Sequence, residues 1–127
     1  MNYQLLHNFY TEISSDFSQN NSAFSSSIRF NPKHEVYKGH FPQIAIAPGV
    51  VLIQIIKEIL MDKFQKKLRL VEGDNIKFLA LINPNEIADF QVDFTVKRVE
   101  GILEVSASYI HNNKAFTKFK GKFRIIE

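Results

Sequence analysis

The hydrophobic pattern contains one strong helix, which spans Val50 to about Phe64. On a helical wheel, its apolar positions cover more than half of the circumference, and its polar residues form one narrow stripe. The stripe consists of Gln54, Lys57, Glu58 and Asp62. A helix with so little polar surface is mostly surrounded by protein, so the pattern predicts a buried central helix.

Outside this helix, apolar and polar residues alternate, which is typical of strands with one buried face and one wet face. Two early strands, about 10–18 and 24–30, are separated by turn-forming residues and predict a β-hairpin. Later strands are predicted at Asn75 to Ile82, near 90–96, near 103–109 and near 117–125. Asn31 to Pro48 is a long connection. One buried helix among antiparallel strands predicts the α+β class, in a single domain that spans residues 1–127.

Composition narrows the class of protein without identifying it. The 127 residues suffice for one domain, and the absence of cysteine excludes disulfides, thiolate metal sites and a cysteine nucleophile. No apolar run is long enough to span a membrane, and residues 1–7 lack the features of a secretory signal, so we expect a cytoplasmic protein. The net charge of +3 does not by itself indicate a nucleic-acid partner.

The candidate chemistry lies just before the helix. The segment from Gly39 to Val50 reads Gly-His-Phe-Pro-Gln-Ile-Ala-Ile-Ala-Pro-Gly-Val. His40 can transfer protons near neutral pH, and the amides of a helix that begins near Gly49 can hold a developing negative charge. Together these groups indicate an enzyme active site. The alternatives are a loop histidine satisfied by hydrogen bonds and a glycine that only serves a turn.

This segment resembles the His-Phe-Pro…Pro-Gly-Val signature of the β-hydroxyacyl-acyl-carrier-protein dehydratases, which have the hot-dog fold. The matching residues are His40, Phe41, Pro42, Pro48, Gly49 and Val50. The chain departs from the signature at Gln43, where the family usually has Gly, and at Ala45, where it usually has Pro. The resemblance implies a curved antiparallel sheet wrapped around one long central helix.

The resemblance also implies an activity. In this family a histidine removes the proton α to the thioester carbonyl, and a carboxylate helps the β-hydroxyl leave as water. The product is the trans-2-enoyl thioester of fatty-acid or related acyl-chain biosynthesis. The resemblance assigns the base to His40 and the oxyanion-binding amide to Gly49, with neither a metal nor an organic cofactor. The implied partners are an acyl thioester on acyl carrier protein or coenzyme A, and a second protomer in a homodimer or larger assembly with interfacial active sites.

One departure affects the chemistry directly. The family's carboxylate lies fourteen residues after the histidine, where this chain has Gln54, and an amide cannot act as a proton-donating acid. The family often has a glutamine one helical turn later, where this chain has Glu58. Because residues i and i+4 lie roughly 5–6 Å apart on one helix face, we predict that Glu58 supplies the acid. Gln54 would then orient Glu58 or the leaving water. The alternative is that Glu58 belongs to a solvated polar stripe.

Three other functions remain open. A hot-dog thioesterase would use Glu58 to activate water against the thioester. A catalytically silent dehydratase homologue would serve as the partner subunit of an active one, with Gln54 marking the lost activity. The last strand carries basic residues that would suit an acidic carrier protein or a nucleic acid, although a solvated strand face is the favoured interpretation. These residues are Lys118, Lys120, Lys122 and Arg124.

Overall fold

One six-stranded antiparallel sheet forms most of the protein. The computed structural model describes residues 5–16, 22–35 and 46–126. Its elements are β1 (Tyr10–Asp16), β2 (Ala23–Phe30), α1 (Gly49–Phe64), β3 (Leu68–Phe78), β4 (Asp89–Val99), β5 (Ile102–His111) and β6 (Lys114–Ile125). The strand order is β1-β2-β4-β5-β6-β3, and all neighbouring strands are antiparallel. The predicted α+β class is therefore confirmed.

The core lies between α1 and one face of the sheet. Alternate residues of the central strands are buried, as their alternating sequence predicts: Phe90, Val92, Phe94 and Val96 in β4, and Leu103, Val105, Ala107 and Tyr109 in β5. The apolar side of α1 covers this face with Leu52, Ile55, Ile56, Ile59 and Leu60. The Tyr109 hydroxyl donates to the Leu52 carbonyl oxygen at 2.6 Å, which fixes the helix to β5.

The tight turns follow from residues that tolerate the left-handed conformation. Asn112 and Asn113, between β5 and β6, have φ angles of 50° and 61°, which suit a two-residue hairpin turn. The predicted hairpin of β1 and β2 is confirmed by the pairing of these strands, although its connecting residues 17–21 lie outside the described residues. No helix in the described ranges is long and apolar enough to cross a membrane.

The predicted start of β3 was wrong. The strand begins at Leu68 and ends at Phe78, whereas the prediction ran from Asn75 to Ile82. Gly73 and Asp74 disfavour strands and interrupt the alternation, which concealed the first half of β3. The strand accommodates the interruption with two register shifts against β6. As a result, an eleven-residue strand forms one edge of the sheet, beside α1.

Candidate active site

The structure describes three of the four predicted site residues. Gly49, Gln54 and Glu58 lie on α1 and are described. His40 lies outside the described residues, together with the adjoining Phe41 and Pro42. Among the residues that the structure describes, no group of three His, Asp or Glu side chains is placed to hold a metal ion.

The first turn of α1 has open amide groups. Pro48 is the N-cap, with φ −66° and ψ 145°, and makes no side-chain capping bond. The amides of Val51 and Leu52 both donate to the Pro48 carbonyl oxygen at 3.1 Å. Within the described ranges, no hydrogen bond uses the amides of Gly49 and Val50. These two donors lie at the positive end of the helix, so the arrangement can hold an anionic oxygen.

Gly49 lies in close contact with the ring of Phe78. Its φ angle is not positive, so the backbone conformation does not need glycine. However, a Cβ atom at this position would lie 2.6 Å from Cζ of Phe78. The Phe78 ring, at the end of β3, is 54% exposed and covers the start of the helix. Glycine therefore allows this ring to approach the first turn of α1.

Glu58 is buried, so its alternative assignment to a solvated stripe is wrong. Its side chain is 1% exposed, and both carboxylate oxygens accept hydrogen bonds from the N-terminal segment. The Leu5 amide lies 3.0 Å from Oε2 and 3.3 Å from Oε1, and the Leu6 amide donates to Oε1 at 3.0 Å. The Tyr10 hydroxyl donates to Oε1 at 3.3 Å. Such contacts offset the cost of removing a carboxylate from water.

Burial raises the pKa of Tyr10, and the negative charge of Glu58 adds to the effect. The phenol therefore keeps its proton and remains a donor to the carboxylate. Tyr10 was not among the predicted site residues. It lies 48 positions from Glu58 in the sequence, and no local pattern signals a contact over that separation.

The N-terminal segment folds back on itself to reach Glu58. The carbonyl oxygen of Leu5 accepts bonds from the amides of Asn8 and Phe9, at 3.0 and 2.8 Å. His7 adopts a left-handed conformation, with φ 69°, which turns the chain. Phe9 and Tyr10 are buried in the core and anchor the turn. The amides of residues 5 and 6 are thereby directed at α1.

Gln54 lies between the buried carboxylate and an open groove. Its Nε2 donates to Oε2 of Glu58 at 3.0 Å, so the structure brings these two predicted residues together. Gln54 is only half-buried, and it lines a groove of about 240 Å³ between α1 and β3. The lining residues are Val50, Ile53, Gln54, Lys57, Leu70 and Phe123. Glu58 does not line this groove, so Gln54 is the member of the Gln54–Glu58 pair that lies next to the open space.

The basic residues of β6 lie on the outer face of the sheet, opposite the core. Lys118, Lys120 and Arg124 are exposed, and Lys122 lies 3.4 Å from Glu72 of β3. A shallow depression of about 600 Å³ on this face also contains the acidic Asp74 and Glu104. Mixed charges on a wet strand face agree with the interpretation as a solvated surface.

Comparison with known proteins found a matching family model and a similar enzyme. A family model, ApeI-like, described as ApeI dehydratase, matches residues 16–120. A relative from Lactococcus lactis subsp. lactis (strain IL1403), the 3-hydroxyacyl-[acyl-carrier-protein] dehydratase FabZ, is 24% identical over 109 residues. That match covers 80% of this chain and 71% of the relative.

Solved structures agree on the fold. The dehydratase heterocomplex ApeI:P from Xenorhabdus doucetiae matches with a TM-score of 0.71 and 15% identity, over 89% of this chain and 96% of that chain. A putative thioesterase from Shewanella oneidensis matches with a TM-score of 0.58 and 11% identity, over 93% and 84%. At these identities the matches establish the fold alone, and the predicted hot-dog fold is confirmed. Because the family model spans most of its length, the chain belongs to the ApeI-like family of dehydratases.

Proposed function

We propose that the chain is a hydro-lyase that converts a β-hydroxyacyl thioester into the trans-2-enoyl thioester and water. Family membership supports the reaction type. The observation that carries the proposal is the joint placement, along α1, of open amides at Gly49 and Val50 and of Gln54 in the adjoining groove. By analogy with the FabZ relative, we propose that acyl carrier protein or coenzyme A carries the acyl group, in cytoplasmic fatty-acid or related acyl-chain synthesis.

In the proposed reaction, His40 accepts the proton from the α carbon. The thioester oxygen gains negative charge, which the Gly49 amide stabilises with the positive end of α1. The C–O bond at the β carbon then breaks, and the hydroxyl leaves as water after it takes up one proton. One proton is removed from the α carbon and one is taken up by the hydroxyl, so the reaction neither consumes nor releases a proton.

The Gln54–Glu58 pair forms the side of the site that receives the hydroxyl. That Glu58 is the proton donor stays a prediction. In the structure, both of its carboxylate oxygens accept hydrogen bonds from protein groups. Return of the proton from His40 is the other balanced route. Turnover of Glu58→Gln addresses the choice, because an undiminished rate would exclude Glu58 as the donor.

We further propose a homodimer that joins two β3 edges. Of the two edge strands, β3 is the longer, and it lies beside the groove that contains Gln54. Its exposed apolar residues include Leu70, Val71 and Phe78. The other edge strand, β1, has seven residues and is mostly polar. An unpaired strand with exposed apolar side chains is a template for pairing with another chain.

Sedimentation velocity tests this assembly. We expect a dimer for the wild type and a monomer for Val71→Lys, because the charge lies in the proposed interface. Ile13→Lys is the matched control, since Ile13 is 50% exposed on β1 and Val71 is 43% exposed on β3. A monomeric wild type, or equal effects of the two variants, would contradict pairing through β3.

A silent partner subunit is the second candidate. Two observations favour it: Gln54 stands where the family has its carboxylate, and the similar ApeI:P structure is a heterocomplex. A hot-dog thioesterase is the third, because the fold also matches a putative thioesterase.

Incubation of the purified protein with a 3-hydroxybutyryl thioester of acyl carrier protein or coenzyme A separates these functions. We expect an enoyl thioester, detected by mass spectrometry as the loss of one water. Release of free thiol would indicate a thioesterase, and no reaction would favour the silent subunit. His40→Asn should abolish the elimination, whereas the control His111→Asn should preserve it.

A further inference from the structure

Gln54 lines the groove, and its side-chain amide donates to Glu58. A glutamine amide has a donor end and an acceptor end. Only the donor end can bond a carboxylate, which fixes Nε2 of Gln54 against Oε2 of Glu58, 3.0 Å away. The carbonyl oxygen of Gln54 receives no hydrogen bond within the described ranges. Because Gln54 lines the groove, this oxygen is an acceptor that a ligand can use.

Glu58 is itself held in one orientation by groups that cannot reverse. The amides of Leu5 and Leu6 are backbone donors, fixed by the turn of the N-terminal segment. Tyr10 adds a third donor, and its raised pKa keeps it protonated. Oε1 accepts from Leu6 and Tyr10. Oε2 accepts from Leu5 and also faces the side-chain amide of Gln54.

We propose that Glu58 is a positioning residue that acts through Gln54: it keeps the Gln54 carbonyl turned to the groove, where this oxygen accepts the hydrogen bond of the substrate β-hydroxyl. The inference rests on the proposed function and deepens it, because it names the group that receives the hydroxyl. The spacing along α1 suits this role. Gln54 lies five residues after Gly49, or about 7.5 Å along the axis, so one small thioester can reach both positions.

A hydrogen bond from the β-hydroxyl to Gln54 would also determine which acyl group binds. A β-hydroxyl can donate to the Gln54 carbonyl, whereas a β-ketone cannot. The protein should therefore bind a 3-hydroxyacyl group more tightly than the corresponding 3-oxoacyl group. A single neutral hydrogen bond corresponds to a preference of about three- to tenfold.

Glu58→Gln should reverse the orientation of the Gln54 side-chain amide. The new amide must place its oxygen at the Oε1 position, where the Leu6 amide and the Tyr10 hydroxyl donate. Its nitrogen then takes the Oε2 position and faces Gln54. The Gln54 amide then turns over and presents its donor end to the groove. The double variant Gln54→Glu/Glu58→Gln restores an acceptor, since the amide at position 58 can donate to a carboxylate at position 54.

The experiment measures binding, by calorimetry, of amide-linked 3-hydroxybutyryl-pantetheine and 3-oxobutyryl-pantetheine, in which an amide replaces the reactive thioester. We expect the wild type and the double variant to prefer the hydroxyl ligand. Glu58→Gln and Gln54→Leu should bring the ratio of the two affinities close to one. Glu86→Gln, the same change at an exposed position, is the control and should preserve the preference.

The side-chain amide of Gln54, observed by NMR, provides a readout that needs no ligand. Its resonances should shift in Glu58→Gln and stay unchanged in Glu86→Gln. If they do not shift, or if Glu58→Gln keeps the wild-type preference, the positioning role is overturned and the proposed reaction survives. If neither ligand binds the wild type, the proposed function fails, and the hydroxyl contact fails with it. If Glu58→Gln does not fold, Gln54→Leu and the double variant still test the proposal. Gln54→Leu with the same preference for the hydroxyl ligand as the wild type would show that Gln54 does not contact the β-hydroxyl.

Discussion

The buried and open faces of α1 use polar residues in opposite ways. On the buried face, Glu58 is 1% exposed, and protein donors bond both of its oxygens. On the open face, Val50 is 77% exposed, and the carbonyl oxygen of Gln54 accepts no hydrogen bond from the residues that the structure describes. A buried polar group must be satisfied by the fold, whereas a group beside a groove can be left for a ligand. Glu58 is therefore satisfied by the fold, whereas Gln54 lies next to the groove.

The largest effect that tests this contrast is on stability. Glu58→Ala removes the shared acceptor of Leu5, Leu6, Tyr10 and Gln54, so we expect a loss of about 3 kcal/mol in the free energy of unfolding. Gln54→Ala removes only one of these donors, at a half-buried position, and should cost less than about 1 kcal/mol. Urea denaturation monitored by circular dichroism measures both.

Glu86→Ala serves as the control for this pair, because Glu86 is exposed and its side chain makes no hydrogen bond in the described ranges. It should change the free energy of unfolding very little. Equal losses for Glu58→Ala and Gln54→Ala would contradict the distinction between the two faces.

A smaller effect concerns Tyr10 and alkaline pH. Burial and Glu58 raise the Tyr10 pKa above its ordinary value near 10, so the folded protein keeps a proton that the unfolded chain releases. The stabilisation is present below pH 10 and is lost as the pH rises above it. The loss is about 1.4 kcal/mol per pH unit for one such group. Burial raises the Tyr109 pKa too, so Tyr109 adds to the wild-type slope.

Tyr10→Phe should therefore cost about 1 kcal/mol at pH 7, for one lost hydrogen bond, and should lose stability less steeply above pH 10. Denaturation curves at several alkaline pH values give the two slopes. Parallel slopes for wild type and variant would mean that Tyr10 ionises equally in both states, contrary to its buried contact with Glu58.

The sequence predicted the parts of the fold that depend on local patterns. The apolar surface of α1 predicted its burial and nearly its bounds, because helical periodicity is a short-range signal. The left-handed asparagine pair at 112–113, which forms the last hairpin turn, likewise reflects a local preference. The first half of β3 was missed because a bulged edge strand with one exposed side does not alternate regularly.

The candidate site could be predicted only as a set of residue types. The i, i+4 spacing predicted that the side chains of Gln54 and Glu58 lie next to each other, and their hydrogen bond confirms this contact. The spacing carries no information on which residue is buried, because that depends on the N-terminal turn arriving from about fifty positions away. The packing of Phe78 on Gly49 joins β3 to α1, and no local pattern indicated it.

The smallest predicted effect concerns a carboxylate in solvent, which serves as the reference for Glu58. Asp89 accepts two bonds from Arg29, at 2.7 and 3.0 Å, and both side chains are largely exposed. These bonds lower the Asp89 pKa, so their stabilisation is present above the ordinary value near 3.8 and is lost as the pH falls from there through the lowered pKa of the folded protein. At pH 6 we expect Asp89→Asn to lose less free energy of unfolding than Tyr10→Phe, because water and salt screen the exposed pair. Once the pH is below the lowered pKa of Asp89, the wild type and the variant should become equally stable in urea denaturation. If Asp89→Asn cost as much as Glu58→Ala at pH 6, burial would not be what separates these two carboxylates.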